Sequence, residues 1–160
     1  MIWSDIGGAN NDFIVALLDT TNDGVSNGVL SFFTGSPELS LNGTTVLNDG
    51  QWHHIVVTRD ALTGGKAIYV DGKAEGTQTG GTQPLTGNPF IHLGANTLDN
   101  RYYTGLMDEV AFYNTVLSLE RVEAHYQAGV APVPEPGTLL LGALGGASVV
   151  MSRRRTRRRP

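Results

Sequence analysis

The sequence predicts an all-β domain, an antiparallel sandwich or barrel, from its glycine content, its turn dipeptides and the runs between them. Of 160 residues, 21 are glycine and only 16% are charged, a balance that suits neither a coiled coil nor a charged disordered chain. Asp23-Gly24, Asn27-Gly28, Asn42-Gly43, Asp49-Gly50 and Asp71-Gly72 all tolerate the left-handed geometry of tight hairpins. Between them lie runs rich in β-branched and aromatic residues: Phe13 to Leu18, Val29 to Thr34, Glu38 to Leu41, Trp52 to Arg59, Ala67 to Val70, Phe90 to Leu93 and Leu106 to Tyr113. Strands at this spacing close on one another as antiparallel sheets.

Within Trp52 to Thr58 the residues Trp52, His54, Val56 and Thr58 share one face, and His53, Ile55 and Val57 share the other. Both faces are partly apolar, which predicts a central strand covered on both sides. In the last run, Leu106, Asp108, Val110 and Phe112 share a face, so a carboxylate stands in line with a core stripe. One helix is predicted from about Leu119 to Ala128: Ser118 suits the N-cap, Glu120 and Glu123 favour the positive helix start, and Gly129 is a natural terminator. Leu119, Val122 and Tyr126 recur at helical spacing and give it one stripe to pack.

The net charge of −4 averages two opposite parts. Residues 1–132 hold five basic and fourteen acidic side chains, a net of −9, whereas residues 133–160 hold six arginines against Glu135, a net of +5. The predicted organisation is a sandwich over 1–129, a Pro-rich linker over 130–136, an apolar helix over 137–151 and an Arg-rich tail over 152–160. Gly137 to Met151 would measure about 22 Å as a helix against a hydrocarbon core of about 30 Å. Local thinning and arginine snorkelling cover that deficit. The alternative is an apolar core helix, but a core helix rarely ends in six arginines. Membrane insertion would leave Arg153, Arg154, Arg155, Arg157, Arg158 and Arg159 in the cytoplasm and the acidic body outside. An unprocessed anchor and an arginine tail for nucleic acid are the other readings. The acidic body and the apolar run before the arginines oppose binding to phosphate, so no nucleic acid is expected. There is no cysteine, hence no disulfide and no thiolate metal site, and the first residues do not read as a secretory signal.

The order Pro134-Glu135-Pro136, short apolar run, terminal arginine cluster resembles the PEP-CTERM sorting signal of Gram-negative bacteria. The resemblance implies an exosortase as partner, processing of the tail, and delivery to the cell surface or the exopolysaccharide matrix. In the body, Asn48-Asp49-Gly50-Gln51-Trp52-His53-His54-Ile55-Val56-Val57-Thr58-Arg59 followed by Ala67-Ile68-Tyr69-Val70-Asp71-Gly72-Lys73 resembles the central hairpins of laminin G-like domains. Ile91-His92-Leu93-Gly94, then Gly105-Leu106-Met107-Asp108-Glu109-Val110-Ala111-Phe112-Tyr113 and Leu117-Ser118-Leu119-Glu120, resembles their closing segment. These domains belong to the concanavalin A-like lectin and glucanase superfamily, so the resemblance implies an antiparallel jelly-roll sandwich. Such domains start with further strands ahead of the segment equivalent to Ile2 to Leu18. On that basis the front strands and a signal peptide are expected to be missing, leaving an exposed edge strand and a partly uncovered core.

Glycoside hydrolases share this superfamily, and the retaining ones need two carboxylates about 5 to 5.5 Å apart. No strand here carries acids at alternate positions: Asp108 and Glu109 are adjacent, Asp71 and Glu75 straddle a turn, and Glu120 and Glu123 lie on the helix. Nor does any serine sit in a nucleophile elbow near His53, His54, His92 or His125. The expectation is therefore a protein that is not an enzyme. His54 reads as a hydrogen-bonded structural residue, with ligand contact the alternative, and His53 has no partner at zinc-ligand spacing.

Calcium is the one cofactor with a basis, since Asn10-Asn11-Asp12, Asn22-Asp23 and Asn96 to Asn100 are oxygen-rich loops. The superfamily resemblance singles out Asp108 in the closing strand as a ligand. The plain alternative is that these residues make turns through their own side chains. Asn96, Asp99, Asn100, Arg101, Tyr102 and Tyr103 form a polar and aromatic cluster that suits a sugar, or else Tyr102 and Tyr103 open a strand with one in the core and one exposed. Two functions follow: a module binding polysaccharide or another envelope component, and a structural or adhesive surface protein with no discrete ligand.

Overall fold

A computed structural model describes residues 2–4, 11–18, 28–35, 39–86, 90–97 and 100–131. The chain divides into one unit over Met1–Gly129 and a second over Val130–Pro160. The Pro-Glu-Pro motif, the apolar run and the arginines fall outside the described residues.

The first unit is built of antiparallel strands. β1 (Ile2–Ser4), β2 (Phe13–Leu18), β3 (Val29–Thr34) and β4 (Leu39–Val46) form successive neighbours in a five-stranded sheet. Its order is β4-β3-β2-β1-β8, with β8 (His92–Leu93) on the far side of β1. β5 (Ile55–Arg59), β6 (Gly65–Val70) and β7 (Lys73–Thr79) form a second sheet in that order. A small hairpin joins β9 (Ala95–Asn96) to β10 (Arg101–Tyr102), and α1 (Leu119–Val130) follows.

The two sheets face one another. Val15, Ala16, Leu30, Phe32 and Leu41 from the first meet Ile68 and Val70 from the second in one buried cluster. Strand alternation explains the choice: Ile68 and Val70 are two apart on β6 and share its inner face. The β6–β7 turn follows its dipeptide, because Asp71 and Gly72 take φ of 50° and 78°, as a two-residue primed turn requires. Gly64, at φ 74°, is held for a different reason. A Cβ there would lie 2.2 Å from the carbonyl oxygen of Gly80, whose own N–H donates to Gly64 O at 2.8 Å.

Two irregularities meet across the sandwich. The β3–β4 ladder shifts register between Val29 and Ser31, and the β6–β7 ladder shifts between Ile68 and Tyr69, which leaves Glu75 opposite no residue. Glu75 reaches over to the first bulge and accepts from Thr44 N–H at 2.8 Å, Thr45 N–H at 3.1 Å and the Thr45 hydroxyl. Burial alone would raise its pKa, but these donors outweigh that and hold it below the usual carboxylate value.

Several expectations are corrected. Trp52 to Arg59 is not a central strand: only Ile55–Arg59 pairs, as the outer strand of its sheet, and Trp52 is exposed. Leu106 to Tyr113 forms no strand, and Leu106, Val110 and Phe112 are exposed, with Leu106 at 75%. Among the described residues nothing covers Leu106, Val110 and Phe112, so the alternation of the stripe goes unused. Phe90 to Leu93 pairs only over His92–Leu93, whereas Glu38 to Leu41 lengthens to Leu39–Val46. β1 lies between β2 and β8, so the edges of the five-stranded sheet are β4 and β8. The helix runs past Gly129 to Val130, and Ser118 starts it through its carbonyl to Val122 N–H at 3.0 Å and its Oγ to Arg121 N–H at 3.4 Å. Val122 is its one fully buried side chain among the described residues.

Candidate functional site

The polar and aromatic cluster foreseen in the sequence falls on the β9–β10 hairpin, where Asn96 pairs with Arg101 and Ala95 with Tyr102. Asn100 turns the chain at φ 54°, and Asp99 lies outside the described residues. Asn96 is buried, and both it and Arg101 are engaged in interactions. The two tyrosines part. Tyr102 is 67% exposed, while Tyr103 packs against the core and donates its hydroxyl to Leu106 O at 3.4 Å. An exposed aromatic ring can stack on the apolar face of a sugar.

A second aromatic hollow opens on the outer face of the three-stranded sheet. It measures about 450 Å³ and is lined by Tyr69, Thr58, Thr77, Thr79, Asp60 and Val116 among others. One Asp60 oxygen accepts from Leu62 N–H at 2.8 Å and Thr63 N–H at 3.3 Å, and these donors hold its pKa below the usual value. The Thr58-to-Thr79 hydroxyls alternate outward along paired strands, so strand register could have revealed this face from sequence.

The histidines form a third cluster. His53 bridges two acids, with Nδ1 2.8 Å from Asp71 Oδ2 and Nε2 3.1 Å from Asp49 Oδ1. Burial alone would lower its pKa, but the bonds to Asp71 and Asp49 outweigh this and raise it. Asp71 also accepts from His54 N–H at 2.9 Å. The His54 ring stacks on Tyr126 at 6.2 Å, and its Nδ1 is buried without a partner. Burial, then the charge of His125, pushes its pKa down.

For metals, no group of three or more His, Asp or Glu side chains among the described residues is placed to hold an ion. Asp108 is exposed and one of its oxygens accepts from Glu109 N–H at 2.9 Å. Among the described residues Asp108 belongs to no group of three or more His, Asp or Glu side chains that could hold an ion, while Asn10, Asn22, Asp23 and Asp99 lie outside them.

Comparison with known proteins fits this geometry. A family model described as the concanavalin A-like lectin/glucanases superfamily, of laminin G type, matches residues 3–123. The chain belongs to this family. Its antiparallel sheets and, among the described residues, one short helix are consistent with the concanavalin A-like fold. The PEP-CTERM protein-sorting motif matches residues 132–155, which include Pro134, Glu135, Pro136 and Arg153, Arg154 and Arg155. A laminin G-like domain with a PEP-CTERM signal marks an exported surface protein, made as a membrane-anchored precursor and sorted by an exosortase. Among the described residues no helix is long and apolar enough to cross a membrane, and the 137–151 run lies outside them. No curated protein matches the sequence. A solved structure of an S-layer domain-containing protein (residues 221–444) from Clostridium thermocellum is 20% identical with a TM-score of 0.42, over 79% of this chain and 61% of that one. The chain thus spans about three fifths of that structure.

Proposed function

We propose that this laminin G-like domain is a non-catalytic module that binds a polysaccharide or another envelope component at the cell surface. Tyr102 carries the reading: a large aromatic ring 67% exposed on a tight hairpin, where the core gains nothing from it. The acids support the absence of catalysis, because Asp108 and Glu109 are adjacent and Asp49, Asp60, Asp71 and Glu75 are each bound to protein donors. On a glycan array the full chain should bind saturably, and Tyr102→Ala should abolish binding while leaving Tm unchanged. Tyr103→Ala should weaken binding and lower Tm together, since that ring packs on the core.

A structural or adhesive role without a discrete ligand is the second reading, favoured by the exposed apolar residues Leu106, Val110, Phe112 and Val116. A blank glycan array together with self-association of the chain would select it. Calcium at Asp108 is tested separately by titration against thermal melting. A rise in Tm at millimolar calcium that vanishes in Asp108→Asn establishes the ion, and an unmoved Tm removes it. The six-arginine end and the apolar run act, in this reading, as membrane stop and anchor until exosortase processing releases or transfers the domain.

A further inference from the structure

One rung of the three-stranded sheet is chemically unlike its neighbours. Register places Arg59 opposite Lys66 and Lys66 opposite Gln78, so the three side chains leave on one face, the inner one. There Lys66 Nζ donates to Leu39 O at 2.8 Å and Thr34 Oγ1 at 3.1 Å and lies 5.6 Å from the Phe32 ring centre. Gln78 Nε2 donates to Ser40 O at 3.2 Å. Every acceptor the two cations have found is neutral, because Arg59 Nη2 donates to Gly81 O at 2.7 Å and Gln83 O at 2.6 Å.

Two like charges directly opposite one another on a sheet repel, and Lys66 is only 2% exposed. Burial, then the Arg59 charge, lowers the Lys66 pKa; burial does the same to Arg59 against the pull of Asp60. Among the described residues neither cation has a carboxylate within ion-pair distance, and both ion pairs found there belong to His53. Two polar atoms on the rung are buried with no partner: the Arg59 Nε–H, a donor, and Gln78 Oε1, an acceptor. Native folds rarely leave such groups unmade. Water would satisfy both atoms and leave the two charges uncompensated; an anion accepts from the Arg59 Nε–H and compensates the charges, and a hydroxyl or water that comes with it donates to Gln78 Oε1.

We propose that the Arg59–Lys66–Gln78 rung binds a compact oxyanion, a carboxylate or sulfate group. Arg59 Nε–H donates to the anion, Lys66 supplies the second positive charge, and Gln78 Oε1 accepts from a hydroxyl or water that accompanies it. The group arrives as a free ion or as the acidic substituent of a sugar. The site is separate from Tyr102 and stands or falls without it.

Nuclear magnetic resonance on the full chain, following the Arg59 Nε–H signal, tests the proposal. Sodium glucuronate and low-millimolar sulfate should each shift that signal saturably, and glucose and chloride at matched ionic strength should not. Arg59→Gln should weaken the response at least about tenfold, read from Tm because the reporter is lost. Gln78→Glu should raise Tm and abolish the response, since it brings its own carboxylate onto the rung. An acidic oligosaccharide that binds tighter than glucuronate identifies a glycan substituent as the source, and equal binding identifies the free ion. The proposal is overturned by no saturable shift in the wild type, or by a response unchanged in both variants. It is overturned equally if the wild type is flat and Glu38→Gln becomes responsive, because Glu38, which lies outside the described residues, would then be the internal counter-ion. Tyr102→Ala should leave all of these responses intact, which separates this site from glycan binding at the hairpin.

Discussion

Residues 66–70 and residues 106–113 are both short, apolar and strand-like in sequence, and they end in opposite states. The first is β6, hydrogen-bonded on both sides, with Ile68 fully buried between two sheets. The second runs without a ladder partner among the described residues, and Leu106, Val110 and Phe112 face outward. The difference is not propensity. β6 is flanked by turns that return the chain on both sides, Asp60 to Gly64 before it and Asp71-Gly72 after it, so its neighbours are its sequence neighbours. Residues 106–113 follow the β9–β10 hairpin and precede a helix, and among the described residues no adjoining segment pairs with them as a strand. Alternation states that a segment can be a strand; a nearby turn supplies the partner.

Substitutions in both segments and around them test this difference, and the largest effect is expected at the centre of β6. Ile68→Ala should cost about 2 to 5 kcal/mol in denaturant melts, through lost transfer energy and the cavity left behind. Gly64→Ala comes next, expected at more than about 1 kcal/mol, because alanine would have to hold φ 74° with its methyl against Gly80 O. If Gly64→Ala is neutral, the two backbones flanking β6 are not in the contact described.

The third measurement is a pH series. His53 has a raised pKa in the folded chain, so its contribution is complete below about pH 6.5 and fades as pH climbs through the raised value. His54 has a lowered one, so its contribution is complete above about pH 6.5 and fades as pH falls through the lowered value. His53→Gln should therefore destabilise more in mildly acid buffer than at pH near 9, and His54→Gln should show the reverse slope. Equal loss at both ends would mean that neither ring's protonation is coupled to folding.

Ser118→Ala should cost only about 0.5 kcal/mol, the low end for a helix N-cap, because its Oγ contact is long and exposed. Smallest of all, Phe112→Ala should fall within about 0.5 kcal/mol of wild type, as expected for an exposed side chain. A loss comparable to Ile68→Ala would show that the 106–113 segment is covered in solution. Hydrogen exchange gives an independent check, with amides of 66–70 protected and those of 106–113 exchanging fast.

Local chemistry explains which parts of the molecule were legible. The Asp71-Gly72 hairpin, the β2 and β3 runs and the Ser118 helix start are all written in neighbouring residues, and they stand as expected. So is the sorting motif, which depends on linear order alone. Non-local facts were not legible. That β5 lies outermost, that Glu75 caps a bulge thirty residues away, and that His54 stacks on Tyr126 all depend on which elements meet. The cluster at residues 96–103 was legible as alternatives: its residues offered either a joint polar and aromatic surface or a strand start with one tyrosine in the core and one exposed, and the structure packs Tyr103 on the core and leaves Tyr102 exposed.

α1 is the last described element before the linker and the sorting segment. It holds to the domain through one fully buried side chain, Val122, through Tyr126 packed against Gly72 and His54, and through His125 against Tyr113. While the precursor is tethered by its C-terminus, any drag on the domain is transmitted along this helix first. With so few attachments among the described residues, α1 is expected to peel away under such a pull before the hydrogen-bonded sheets behind it are loaded.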